Sequence, residues 1–132
     1  MLAVRFDVGD DVVSAVREAA EKHGITAGSV MGIGATDCFT VGVYDPAKKA
    51  YDEFEFTGSH EITSLTGNVT TMNGKTYVHL HITCAGAGGK IVGGHLLRAR
   101  VSVTGEAYIN ICPAVIEREY DPSFNFNRIV FR

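Results

Sequence analysis

The sequence predicts an α+β domain in which one early helix accompanies a largely antiparallel sheet. Helical periodicity is convincing over a single long segment, residues 11–23. Beyond it, strand-like runs follow one another through short turn sequences rich in glycine, asparagine and proline. Strands joined by short turns reverse direction, so βαβ units are not indicated.

The helix is expected from about Asp11 to His23, where Val12, Val13, Val16, Ala19 and Ala20 supply an apolar face. Asp10 or Asp11 can cap its free amides, and Lys22 and His23 precede Gly24, the expected C′ residue. Strands are then expected at Ser29–Ile33, Cys38–Tyr44 and Tyr51–Thr57, the last two joined across Asp45-Pro46-Ala47-Lys48-Lys49. Glu61–Thr70 and Thr76–Cys84 form the next pair around Asn73-Gly74, a strong tight-turn signal. A third pair is Ile91–Arg98 and Val101–Cys112. The end of the chain, Ile116–Arg132, is aromatic and mixed, consistent with a closing strand at Ile129-Val130-Phe131 or with a subunit contact.

Three histidines stand out against this scaffold. In the strand Val78-His79-Leu80-His81-Ile82, alternation turns both imidazoles to one face, while Val78, Leu80, Ile82 and Cys84 pack on the other. The glycine-rich connection Ala85-Gly86-Ala87-Gly88-Gly89-Lys90 can return the chain antiparallel, laying Gly93-Gly94-His95-Leu96 beside that strand. Three neutral imidazoles with a fourth position left to water suit a catalytic or exchangeable zinc site, although nickel, copper and iron tolerate the same ligands. Histidines at alternate strand positions also serve as a polar outer face or as satisfied core residues, and spacing alone leaves both readings open.

At 132 residues the chain is expected to form one domain, residues 1–132, with a core that needs no covalent staples. Cys38, Cys84 and Cys112 are odd in number, widely spaced and without a Cys-x-x-Cys pair, which fits a reducing cytoplasm. Charge arrives at Arg5 and Asp7, too early for a signal peptide, and no run of about 18 apolar residues suggests a membrane span. A formal charge of −3 argues against strong non-specific affinity for nucleic acid. Local basic patches are still compatible with Arg98, Arg100, Arg118, Arg128 and Arg132 in the C-terminal third.

Gly32-Ile33-Gly34-Ala35 lacks the third glycine and following helix of a dinucleotide loop, and reads instead as a turn or a close backbone approach. Gly86-Ala87-Gly88-Gly89-Lys90 has no Ser or Thr after its lysine, so a hairpin loop explains it better than a phosphate cradle. Cys84 points away from the histidines by strand parity, and Cys112, before Pro113, reads as a buried small side chain. Glu61 and Glu106 are candidates for moving a proton, and Arg98 for holding an anionic substrate. Each has a structural alternative in a turn, an ion pair or a solvated face.

Taken together, Gly32-Ile33-Gly34-Ala35, Glu61-Ile62-Thr63-Ser64-Leu65-Thr66-Gly67-Asn68, His79-Leu80-His81-Ile82 and Gly93-Gly94-His95-Leu96-Leu97 resemble the PPC domain, the plants-and-prokaryotes-conserved domain, in its stand-alone prokaryotic type. The match in order and spacing covers nearly the whole chain. The resemblance implies a barrel-like, largely antiparallel sheet, a homotrimer, and a metal held by His79, His81 and His95. In plants the domain follows an AT-hook, an Arg-Gly-Arg-Pro element for the minor groove of DNA, which this sequence does not contain. The DNA-binding label of prokaryotic members therefore carries little weight here. The plant partner-binding segment Gly-Arg-Phe-Glu-Ile-Leu is replaced by Gly58-Ser59-His60-Glu61-Ile62-Thr63, which keeps the glycine, glutamate and isoleucine but not the arginine.

The implied fold is also similar to that of acetolactate decarboxylase, in which a His-x-His pair and a later histidine hold zinc beside glutamate and arginine. Two functions follow. The first is a zinc-type, homotrimeric module that binds a small-molecule ligand or regulates a partner, without chemistry. The alternative is a zinc-dependent lyase acting on a small 2-oxo or 2-hydroxy acid, with Arg98 on the carboxylate and Glu61 or Glu106 moving the proton. Thirteen residues separate His81 from His95, and the glutamate and arginine roles have no motif to carry them. The binding module therefore ranks first, and DNA binding third.

Overall fold

The computed structural model describes residues 1–132. Strand β1 (Leu2–Phe6) comes first and leads to helix α1 (Val12–Lys22). Long strands β2 (Gly28–Asp45), β3 (Ala50–Met72), β4 (Lys75–Ala85) and β5 (Ile91–Ile111) follow. The short hairpin β6 (Glu117–Asp121) and β7 (Phe126–Val130) completes the chain. The α+β expectation holds, and almost every strand pair is antiparallel. The exception is a single parallel pairing of Thr71 with Glu117.

Four strands close into a ring. β2 pairs with β3 and β5, and β4 pairs with those same two strands, so each of the four has a neighbour on both edges. The result is barrel-like rather than a regular barrel, because β1 lies beside the later part of β5 and the β6–β7 hairpin attaches to β3.

The sequence suggested shorter strands than the structure contains. Expected breaks near residues 34–37, 58–60 and 99–100 are bends within single strands. β2 carries register shifts at Gly32/Gly34 and Thr36/Cys38, and β3 passes through Gly58 at φ +90°. A β-bulge adds a residue and bends the strand without ending the ladder, so local sequence there looks like a turn. β1 was not expected, although Leu2, Val4 and Phe6 alternate inward as a strand requires.

Glycine permits the tight turns of the ring. At Gly32 and Gly34 a Cβ would approach the carbonyl oxygens of Glu106 and Thr104 on β5 to 2.7 and 2.5 Å. The Gly32–Ala35 segment is therefore a close backbone approach and not a turn. Asn73 and Gly74, at φ +52° and +73°, make the two-residue β3–β4 turn and fix its register, with Met72 opposite Lys75.

Asp11 joins helix to sheet. One carboxylate oxygen accepts the amide of Ser14 at 3.0 Å as the helix N-cap, and the other accepts the amide of Ala99 on β5 at 3.0 Å. Asp10 acts one step earlier, accepting the amide of Asp7 at 2.8 Å. At the other end His23 is the C-cap and Gly24 takes φ +62°, as expected. Val12, Val16 and Ala20 then bury against a core that includes Phe6, Leu80, Ile82, Cys84 and Ile109. With 11 residues, this helix is not long enough to cross a membrane. The three cysteines are unpaired, and Cys112, expected to be buried, is exposed because it lies just past the end of β5.

Replacing Asp11 with alanine removes both the cap and the tether, and should lower stability by about 2 kcal/mol. Urea unfolding should show this as a lower midpoint at an unchanged slope.

Candidate metal centre

β4 is held on both edges, and its alternation divides its side chains cleanly. Leu80, Ile82 and Cys84 are buried in the core, and His79 and His81 face the opposite side. The glycine-rich loop, with Gly88 at φ +70° and Gly89 at +75°, returns the chain so that His95 on β5 pairs directly with His81. One ligand atom from each ring lies within 4.8 Å of the other two. The His79 and His81 Nε2 atoms are 3.3 Å apart. Zn–N bonds of 2.0–2.1 Å in a tetrahedral site place two nitrogens about 3.3 Å apart, so the pair already stands at metal-binding separation.

The electrostatics favour ligand chemistry. Burial is the main cause that pushes His79 down to about 4, and the positive charge His95, Arg118 and His81 can carry adds to it. His95 is lowered from its ordinary value by burial and then by His81. Both rings are therefore neutral near pH 7, with lone pairs to give. His95 Nδ1 is buried without a hydrogen-bond partner, so no competing contact in the protein satisfies that nitrogen. Donor set, spacing and orphaned nitrogen all fit a divalent transition metal held by three imidazoles.

Aromatic rings and one cation wall the cluster. Tyr51 stacks on His95 with ring centroids 4.7 Å apart, and Tyr44 packs edge-on to Tyr51 at 5.5 Å. Gly42, the β2 partner of His95, allows this: a Cβ there would lie 2.7 Å from the Tyr51 ring. Asn68 on β3 pairs with His79, and its side-chain oxygen accepts from Arg118 Nη2 at 2.8 Å. Arg118, on β6, also donates to Thr70 Oγ1 at 2.8 Å and to the Asn127 carbonyl at 3.0 Å, and lies over the Tyr77 ring.

The other sequence candidates lie elsewhere. Glu61 and Glu106 line a groove of about 400 Å³ with Ile33, Ile62 and Val103, and Glu61 pairs with Ala85 at the far end of β4. Arg98 lines a separate cleft with Asp11, Cys38 and Arg100. The cation whose field reaches His79 is Arg118, which the sequence offered only as one of several C-terminal arginines. His60 is also apart: its Nδ1 lies 2.7 Å from the Gly58 carbonyl, and its ring packs edge-on to Phe39. Asn68 and Tyr77 had a usable signal, because the Asn73-Gly74 turn places both on the histidine face. Arg118 had none, since its hairpin meets β3 at a single parallel pairing, Thr71 with Glu117, which no local sequence pattern marks.

In metal-free protein the unfolded chain protonates His79 near 6.5, whereas the folded protein does so only near 4. The unfolded state holds more protons between those values, so this contribution to stability is complete above about pH 6.5 and is lost toward pH 4. Solvent screening of the partly exposed ring leaves an effect on the order of 1–2 kcal/mol. Urea titrations across that window should show the decline, and His79→Gln should make it shallower.

The model of the Plants and Prokaryotes Conserved (PCC) domain matches residues 1–113. A "putative DNA binding protein" from Bacteroides thetaiotaomicron is 35% identical, with a TM-score of 0.94 over 98% of this chain and 90% of its own. A metal-containing protein from Archaeoglobus fulgidus is 32% identical, with a TM-score of 0.90 over 98% of this chain and 92% of its own. The α-acetolactate decarboxylase of Bacillus subtilis, at 16% identity and a TM-score of 0.60 over 93% of this chain and 57% of its own, shares the fold. No curated protein matches in sequence. Matched by the family model over most of its length, and carrying the fold of these neighbours, the chain belongs to the Plants and Prokaryotes Conserved domain family, abbreviated PCC or PPC.

Proposed function

We propose that this protein is a single-domain, cytoplasmic, metal-binding module that works as a homotrimer and takes up a small ligand at its three-histidine centre. The observation that carries the reading is the convergence of His79, His81 and His95 from two strands, at a spacing suited to zinc. The metal-containing Archaeoglobus relative supports it. Bound there, a zinc-type ion would supply Lewis acidity and an exchangeable coordination position. Three unpaired thiols fit a reducing compartment.

Self-association is supported by an exposed apolar face. Met31, Ile33, Val103 and Tyr108 lie exposed on β2 and β5, with Met31 opposite Tyr108 in the ladder. Clustered exposed apolar side chains of this kind mark a contact surface, and a second copy is the occupant a homotrimer requires.

The lyase alternative loses support in the form that uses Glu61 or Glu106 as proton carrier, because both carboxylates line the apolar groove rather than the histidine cluster. The shared fold with acetolactate decarboxylase does not supply them. DNA binding is suggested by the description of the Bacteroides neighbour, but a net charge of −3 gives this chain little general attraction for phosphate.

Elemental analysis of tag-free protein should find about one transition metal per chain, and His79→Ala/His81→Ala should lose nearly all of it. No metal in the parent protein after zinc loading and removal of excess would sink the reading. Light scattering should give three times the 14.2 kDa chain mass, and Ile33→Glu with Val103→Glu should shift the protein toward monomer. A monomeric parent protein would remove the trimer.

A further inference from the structure

Arg118 is a buried cation, 7% exposed, and it forms no ion pair in the chain. Four of the other arginines pair with carboxylates: Arg5 with Asp7, Arg100 with Asp37, Arg128 with Asp121, and Arg132 with Glu117 and Glu119. Arg118 is held instead by three neutral acceptors, Thr70 Oγ1, the Asn127 carbonyl and Asn68 Oδ1. A guanidinium has five N–H donors, so two remain, one on each terminal nitrogen. Burying a charge without a counter-charge is costly, and such a group is ordinarily paired or removed.

Its position gives the missing charge a location. Asn68, which accepts from Arg118, is the cross-strand partner of His79, and Tyr77, two residues before His79 on β4, lies under the guanidinium at 4.8 Å. The surroundings are rich in donors. Asn127 Nδ2 reaches the Tyr77 hydroxyl at 3.4 Å, and the Tyr51 ring stacks on His95. A divalent ion on three neutral imidazoles would add two further positive charges, and no carboxylate belongs to the cluster.

We propose that the ligand taken up at this centre is a small oxyanion, a carboxylate or phosphate group, whose charge is met jointly by the metal and by Arg118. This inference rests on the three-histidine metal reading and names the ligand class for it. Arg118 acts as a specificity residue, since planar paired N–H donors match carboxylate and phosphate oxygens. Arg118 is supplied by the C-terminal hairpin of β6 and β7, past the matched family segment, residues 1–113.

The test uses full-length protein loaded with cobalt(II), whose visible absorption reports changes in coordination. Acetate, inorganic phosphate, neutral acetamide and neutral imidazole are titrated separately. Acetate or phosphate should perturb the spectrum at least tenfold more tightly than acetamide, and whichever of the two binds better identifies the preferred group. Arg118→Gln should weaken the anion at least tenfold and leave imidazole binding unchanged. Equal binding of acetate, phosphate and acetamide would overturn the proposal, as would anion affinity that survives Arg118→Gln. Should that variant fail to fold, the comparison of charged and neutral ligands in the parent protein decides alone. Failure to take up cobalt would instead overturn the metal reading beneath it.

Discussion

Everything at the site depends on β4 being bonded along both edges. With β3 on one side and β5 on the other, the strand can neither slip nor turn over, because a one-residue shift would exchange its two faces. Leu80, Ile82 and Cys84 would then leave the core, and His79 and His81 would enter it. Burial of the apolar face thus fixes the direction of the imidazoles. The pairing of His81 with His95 across the β4–β5 ladder supplies the third ring without any further device.

Close approach of backbone to backbone makes this arrangement possible. At Gly93, opposite Thr83 on β4, a side chain would run into the Ile82 carbonyl, and at Gly67 one would run into that of His79. Gly42 plays the related part on β2, where its lack of a side chain lets Tyr51 lie against His95. Glycines that look like loop material in the sequence are therefore contact points around the ring, and several of them surround the histidines.

Much of this was legible in the sequence because it is local. Alternation placed His79 and His81 together, the Asn73-Gly74 turn fixed the strand opposite them, and Asp11 and Gly24 marked the helix ends. The lengths of β2, β3 and β5 were not legible, since a bulge at Gly34 or a positive φ at Gly58 resembles a turn until the neighbouring strand is present. Glu61, Glu106 and Arg98 were plausible by residue type but lie on other surfaces, and only the path of the strands decides that. Arg118 is the strongest case. It reaches the site through hydrogen bonds to Asn68 and Thr70, some fifty positions away in the sequence, and no spacing rule connects them.

On the proposed reading, His79, His81 and His95 form one coordination sphere with a position left open. X-ray absorption at the zinc edge of the loaded protein tests it most directly. About three imidazole nitrogens should lie at roughly 2.0–2.1 Å with a light oxygen donor beside them, and the imidazole signature should be lost in His79→Ala. A sulfur shell near 2.3 Å, or a spectrum unchanged by that substitution, would place the metal elsewhere and rule out the three-histidine centre.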